Sequence, residues 1–191
     1  MAIAHNFFNV SIYNLTRDPT VIGKIHPLSG IISNLGVLLW WSAATICFFT
    51  SMFFFRTKQQ ETYQFFLMAT VLSTWLALDD LFQFHDDLIG RYLGFDEKFF
   101  MIALMVLVLI FLFKFKKIIL QTNFIVLFLA LGFFFVSVTV DHYQGAKALL
   151  SLGELRVFIE DGSKWLGITC WLSYFAFTSF QFFIKAIQQQ G

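Results

Sequence analysis

Carboxylate and imidazole side chains lie in three separate segments of this 191-residue chain, each next to a long apolar run. Carboxylates and imidazoles are common ligands of divalent metal ions, and a neighbouring carboxylate can take a proton from a metal-bound water. These residue types predict a metal-dependent reaction centre. Its members are Asp79, Asp80, His85 and Asp86 in the first segment, Asp141 and His142 in the second, and Glu160 and Asp161 in the third.

The predicted roles follow from the chemistry of each side chain and from the free-energy cost of an isolated charge beside apolar sequence. We expect Asp80 or Asp141 to act as the catalytic base. Several carboxylates together with two histidines suit Zn first, with Mn, Fe or Ca as alternatives. The predicted metal ligands are Asp79, His85, Asp86, His142, Glu160 and Asp161.

The third segment also permits a structural interpretation. Glu160 and Lys164 are four residues apart, so on a helix they share one face and predict an intramembrane ion pair. The chain has no H-E-x-x-H motif, no histidine pair at i and i+4 and no cysteine ligand set. A proton or cation pathway, and a purely structural network of the acids with Lys164 and Arg156, therefore stay open beside the metal site.

Apolar helices have to position these side chains, because the composition is that of a membrane protein. Hydrophobic residues make up 58% of the chain and charged residues 13%, whereas about a quarter of the residues in soluble domains are charged. A bilayer span needs roughly 20 apolar residues. The apolar windows predict a single all-α integral membrane domain over residues 1–191, with five transmembrane helices at about 31–55, 62–86, 98–117, 119–142 and 160–185.

The same bundle brings the three acidic segments to one level. At about 1.5 Å per residue, Asp79 lies roughly 27 Å along the second span from Glu61, and Asp141 lies roughly 36 Å from Lys117. Both positions are close to the outer edge of a hydrocarbon layer about 30 Å thick. Glu160 begins the fifth span at the same level. We therefore expect the acids to converge at the outer interface of the membrane.

The basic residues predict the orientation of the bundle. Lys114, Lys116 and Lys117 lie in a tight turn directly at helix ends, where positive charge favours the cytoplasmic side. This places the N-terminus outside and the C-terminus inside in a multi-pass protein of the plasma or inner cell membrane. Membrane lipids are the predicted partners, and a homo-oligomer or a larger membrane complex is also permitted. A net charge of +1 excludes a nucleic-acid partner.

Two segments, L-D-D-L-F-Q-F-H-D at 78–86 and E-D-G-S-K-W-L-G at 160–167, resemble sequences of small bacterial multi-pass membrane proteins. That resemblance implies a membrane bundle and no particular activity. The helix-borne His and Asp residues are also loosely similar to those of membrane hydrolases such as alkaline ceramidases. This likeness implies zinc ligands at Asp79, His85 and His142 and hydrolysis of a lipid amide. The chain differs from ceramidases in having fewer predicted spans, no H-x-x-x-H on its last helix and no matching Ser.

Two hypotheses of function follow from these patterns. The first is a metal-dependent hydrolase that acts on a lipid or other apolar substrate at the outer interface. The second is a non-enzymatic membrane subunit, either a cation or proton pathway or a packing partner in a larger complex. Asp80→Asn should abolish the activity of an enzyme without unfolding it, whereas Lys164→Met should destabilise a structural charge network.

Overall fold

Every element of secondary structure that the computed structural model describes is a helix. The description covers residues 11–82, 97–142 and 153–188, without the side chains of residues 12, 15, 97–101 and 142. The predicted all-α class is confirmed. In chain order the helices are α1 (Ile12–Thr16), α2 (Pro19–Gly23), α3 (Ile31–Arg56), α4 (Gln60–Phe82), α5 (Glu97–Lys114), α6 (Lys116–Leu120), α7 (Phe124–His142) and α8 (Glu154–Gln188).

The chain divides into two units with the boundary between Ser33 and Asn34, where the sequence predicts one domain over residues 1–191. The first unit contains α1 and α2, and each of them begins at a polar cap. The Asp18 carboxylate accepts hydrogen bonds from the Thr20 hydroxyl at 2.5 Å and from the Thr20 amide at 2.8 Å. These bonds favour the ionised form and lower the pKa of Asp18. Local capping therefore accounts for the start of α2.

The second unit contains most of the membrane-length helices. Within the described residues, four helices are long and apolar enough to cross a bilayer: α3, α4, α7 over Phe124–Asp141, and α8. The apolar part of α5, Ile102–Lys114, is shorter than the roughly 20 residues that cross a bilayer core. The prediction of several helices with the length and composition of membrane spans is confirmed. The number five stays a prediction.

Several of the predicted spans have bounds that differ from those of the observed helices. The predicted span 98–117 corresponds to two helices, α5 and α6, which are separated by Phe115. The predicted span 119–142 begins only at Phe124, because polar residues precede it. Helix α8 extends the predicted span 160–185 at both ends. The windows therefore identify the helices better than they identify the helix ends.

Phenylalanine rings hold one end of the second unit together. Phe54 of α3 stacks on Phe66 of α4 with ring centroids 6.3 Å apart, and Phe182 of α8 lies 5.9 and 5.7 Å from these two rings. Phe65 of α4 stacks on Phe111 of α5 at 5.3 Å. Consequently the ends of α3, α5 and α8 and the start of α4 lie together.

A second aromatic group joins four helices farther along the bundle. The Trp40 ring of α3 is 5.5 Å from Phe134 of α7 and 5.8 Å from Trp171 of α8. The buried Trp171 Nε1 donates a hydrogen bond to Ser73 Oγ of α4 at 2.9 Å. A buried indole N–H needs such a partner because no water can reach it. This group fixes α3, α4, α7 and α8 at one depth.

Helices α7 and α8 pack closely where Gly167 faces Phe134. A Cβ atom at Gly167 would lie 2.5 Å from Phe134 Cε1, which is well inside van der Waals contact. Small residues commonly allow helices of membrane bundles to approach in this way. Helices α7 and α8 can therefore pack this closely only because Gly167 has no side chain.

Large apolar side chains cover the outside of the helices. Phe113, Phe135 and Phe158 are 77%, 73% and 74% exposed. Soluble monomers rarely leave contiguous apolar patches larger than a few hundred Å² uncovered. Outward-facing phenylalanines fit the hydrocarbon of a bilayer.

We expect Gly167→Ala to destabilise the protein, because the new methyl group would overlap the Phe134 ring. Overpacking costs roughly 1–3 kcal/mol, which exceeds the gain of up to about 1 kcal/mol when Ala replaces Gly in a helix. The matched control is Gly132→Ala in α7, where a Cβ atom meets nothing within 4 Å in the described structure. The midpoint of thermal unfolding in one detergent compares the stability of the two variants. A midpoint for Gly167→Ala equal to or above that of Gly132→Ala would contradict the close packing.

Candidate functional site

An ion pair inside the bundle joins α4 to α8. The Lys164 ammonium contacts Oδ1 of Asp80, whose side chain is only 6% exposed, while the Lys164 side chain keeps 40% exposure. Trp40 Nε1 of α3 donates a hydrogen bond to Oδ2 of the same carboxylate at 3.2 Å. Both oxygens of Asp80 are therefore engaged, and one carboxylate connects three helices.

Small side chains on α3 make room for this contact. Gly36 lies one turn before Trp40, and a Cβ atom there would be 3.2 Å from Ile168 Cδ1 and 3.9 Å from Asp80 Oδ2. Ile168 lies one turn after Lys164 on α8. The backbone of α3 thus approaches both α8 and the carboxylate, which keeps the charge enclosed by protein.

Lys164 also attracts three further carboxylates, Asp79, Asp161 and Glu160. Asp79 is buried next to Asp80 on α4, and Asp161 is exposed about one turn before Lys164 on α8. Adjacent carboxylates repel each other in a low-dielectric interior, so a nearby ammonium lowers the free energy of keeping both ionised. The ammonium of Lys164 therefore interacts electrostatically with four acids.

A second group of acids lies one turn before Lys164. The Glu160 carboxylate is 3.8 Å from the Arg156 guanidinium, and both side chains are partly exposed. Asp141 of α7 and Asp161 of α8 repel Glu160 electrostatically. Helices α4, α7 and α8 therefore bring carboxylates to the same end of the second unit, which we call the acidic end. Its described members are the acids Asp79, Asp80, Asp141, Glu160 and Asp161 and the bases Arg156 and Lys164.

The closest partner of Lys164 is not the predicted one. The sequence predicts an ion pair between Glu160 and Lys164. The ammonium contacts Asp80 and also attracts Glu160 electrostatically, while the Glu160 carboxylate lies 3.8 Å from the Arg156 guanidinium. The physical reason is burial. An enclosed carboxylate gains more from a counterion than a partly exposed one, which water already stabilises. This contact engages Asp80, one of the two predicted bases, while Asp141 is exposed in the last turn of α7.

The histidines of the predicted metal site lie outside the described part of the chain. His85 and Asp86 fall between residues 82 and 97, and the side chain of His142 is not among those described. Within the described residues, no group of three or more His, Cys, Asp or Glu side chains is placed to hold a metal ion. The metal ligand set therefore stays a prediction.

Two residues of the site are not found by reasoning from the sequence. Trp40 and Gly36 lie in a long apolar window, where an aromatic residue is typical of lipid contact or core packing. The sequence signal that could have indicated them is their spacing, a small residue one turn before an indole. The indole then reaches the carboxylate because the glycine lets the helices approach.

These observations define a class of protein, a bundle of apolar, membrane-length helices with an ion pair between them. The chain belongs to the family described as a domain of unknown function, DUF8692, whose model matches residues 1–178. This range includes every residue of the acidic end. No curated protein and no solved structure matches the chain.

We expect Lys164→Met to lower the free energy of unfolding by roughly 2 kcal/mol, because it leaves Asp80 charged and enclosed. Removing one partner of a fully buried pair costs about 3–5 kcal/mol, and the 40% exposure of Lys164 reduces the effect. Asp80→Asn should cost less, since the remaining ammonium can reach water. The double variant Asp80→Asn/Lys164→Met should recover part of the loss.

Denaturant unfolding in a single detergent measures the free energy of unfolding of the wild type and these three variants, and Lys185→Met is the control for loss of a lysine. Lys185 is exposed in the last turn of α8. If Lys164→Met were as stable as Lys185→Met, the pair would not contribute to holding α4 and α8 together.

Proposed function

We propose that this chain is a multi-pass protein of the plasma or inner cell membrane, with five spans, its N-terminus outside and its C-terminus inside. The four membrane-length helices and the apolar helix α5 support the number of spans. Charge supports the orientation, because Lys114, Lys116 and Lys117 lie at the end of the bundle opposite the acids. Positive charge directly beside spans favours the cytoplasmic side.

Single cysteines at the two ends should react from opposite sides of the membrane. In a background with Cys47 and Cys170 replaced by Ala, we expect a membrane-impermeant maleimide to label Glu154→Cys in intact cells. Lys116→Cys should be labelled only after permeabilisation. Both wild-type side chains are exposed. The reverse pattern would contradict the orientation, and labelling of both variants in intact cells would contradict a bundle that spans the membrane.

We further propose that the acidic end binds a divalent cation, Zn before Mn, Fe or Ca, and that the protein is a hydrolase. The feature that supports this proposal is that carboxylates of different helices come near one another: Asp141 of α7 is close enough to Glu160 of α8 to repel it electrostatically. Oxygen ligands from separate helices are typical of metal sites inside helix bundles. Asp79 and Asp161 are the other proposed ligands among the described residues, and the proposed ligands His85, Asp86 and His142 complete the set.

The two predicted bases are not equally placed for proton transfer. Asp80 is enclosed, with one oxygen at Lys164 and the other at Trp40. Asp141 is exposed and lies near Glu160. Because a general base has to reach the water that it deprotonates, Asp141 is the better candidate. A bound divalent ion would supply the acidity of that water.

The surroundings of the acidic end favour an apolar substrate. Phe158 and Leu155 lie within one or two turns of Glu160 and are 74% and 53% exposed. A lipid chain that approaches from the bilayer would contact these side chains before its polar group reaches the carboxylates. This supports a lipid or another apolar molecule as the substrate class.

We expect purified protein to bind about one Zn per chain, and Glu160→Gln and Asp141→Asn each to weaken binding roughly tenfold or more, the size of effect seen at metal sites. Equilibrium dialysis with elemental analysis measures the affinity. Glu61→Gln is the matched control, because it removes a carboxylate at the start of α4, at the opposite end. Unchanged binding in both site variants, or equal weakening by Glu61→Gln, would overturn the metal site. Zn binding without release of product from lipid vesicles would overturn the hydrolase.

A non-enzymatic membrane subunit is the second candidate, favoured by one observation. The Asp80 carboxylate is occupied on both oxygens by groups from two other helices, which is the arrangement of a structural charge network. In that case the acids and bases fix the bundle for a cation or proton pathway, a homo-oligomer or a larger complex. Asp141→Asn would then leave the metal content unchanged, while Lys164→Met would still destabilise the fold.

A further inference from the structure

The end of the second unit opposite the acids is strongly basic. The ring contacts of Phe54, Phe66 and Phe182 bring together the end of α3, the start of α4 and the end of α8. Phe65 and Phe111 add the end of α5. We call this region the basic end. Its charged members among the described residues are Arg56, Lys58, Lys114, Lys116, Lys117 and Lys185, all exposed, with Glu61 as the acid.

Aromatic rings hold two of these lysines near the apolar body of the bundle. Lys114 Nζ lies 5.2 Å from the centroid of Phe115, which is buried, and Lys185 Nζ lies 5.6 Å from the centroid of Phe182. A cation over a ring face is attracted by the quadrupole of the ring. The ammonium groups therefore stay at the boundary between the apolar and polar surfaces instead of extending into solvent.

The bases alternate with exposed apolar side chains. Phe55, Phe113 and Ile184 are all exposed, and they directly precede Arg56, Lys114 and Lys185 respectively. A soluble anion would match only the charges of this surface. A molecule with an anionic headgroup and apolar chains matches both the charges and their neighbours.

We propose that the basic end binds anionic phospholipids, with the headgroup phosphate on the Lys and Arg side chains and the acyl chains on the apolar residues beside them. Anionic lipids of a membrane leaflet attract basic residues that lie near its surface. The Lys114, Lys116 and Lys117 cluster contributes half of the bases, so it supplies much of this attraction. This inference concerns the end opposite the acidic site and does not depend on metal binding or hydrolysis.

The test measures how many phosphatidylglycerol molecules stay on the full-length protein. Protein is reconstituted in bilayer discs of equimolar phosphatidylcholine and phosphatidylglycerol, extracted with mild detergent and examined by native mass spectrometry. We expect selective retention of phosphatidylglycerol. The triple variant Lys114→Gln/Lys116→Gln/Lys117→Gln should reduce this retention more than tenfold, since each base contributes roughly fivefold near an anionic surface. The charge-conserving triple variant with Arg at the same positions should retain the lipid.

Replacing Glu61 tests for a gain of lipid binding. A gain cannot be explained by a variant that is merely destabilised. Glu61→Gln should increase phosphatidylglycerol retention at low salt, because it removes the repulsion between a carboxylate and the phosphate. This gain should shrink at high salt, which screens the same repulsion in the wild type. Inorganic phosphate at matched ionic strength should not displace the lipid. Equal retention by wild type and the Gln triple variant, equal loss in the Arg triple variant, or full displacement by inorganic phosphate would each overturn the assignment.

Discussion

A carboxylate enclosed in an apolar bundle has to be neutralised where it lies, and this requirement fixes the arrangement of three helices. Moving an ion out of water costs several kcal/mol even after relaxation. Asp80 avoids that penalty because Lys164 of α8 and Trp40 of α3 engage its two oxygens. Rotating or sliding either helix along α4 would leave the charge without a partner. Gly36 permits the approach, and the contact of Trp171 with Ser73 follows from the same alignment.

The free-energy cost of an unpaired charge also explains the charge distribution of the whole second unit, where acidic and basic residues lie mostly at opposite ends. Phenylalanine rings fill the space between the ends, so a charged side chain placed there would have no partner. Apart from Glu61, the described acids of α4, α7 and α8 consequently lie at one end, and the lysines that follow α3 and α5 lie at the other. The turn at Lys58 shows how local geometry serves this pattern. Its φ of 59° lets the chain reverse between α3 and α4 while the ammonium stays exposed.

The fold was largely predictable from the sequence because charged residues punctuate the apolar windows, and the position of each window follows from the cost of burying charge. Lys114, Lys116 and Lys117 also indicated a turn after α5. Its exact position at Phe115 was not predictable, since Phe115 is apolar and leaves no mark in a hydropathy pattern. The partner of Lys164 was not predictable either. Glu160 is close along the sequence, whereas the contact with Asp80 depends on the relative depth and rotation of α4 and α8, which no local spacing encodes. Trp40 was missed because an indole in an apolar window also fits lipid contact.

Electrostatic attraction between the two ends of the bundle is too weak to balance their charges. The distance between the two ends can be read along α8, where Lys164 marks the acidic end and Lys185 marks the basic end. These residues are 21 positions apart, which is about 31 Å along a helix. Two unit charges at that separation interact by only about 0.5 kcal/mol at an effective dielectric constant of about 20. Each end therefore has to be neutralised locally. At the basic end the bilayer can supply the counterion, because its headgroups carry anions. Bilayers contain no cationic lipid at comparable abundance, so at the acidic end the compensating charge has to come from the protein, a proton or a bound cation.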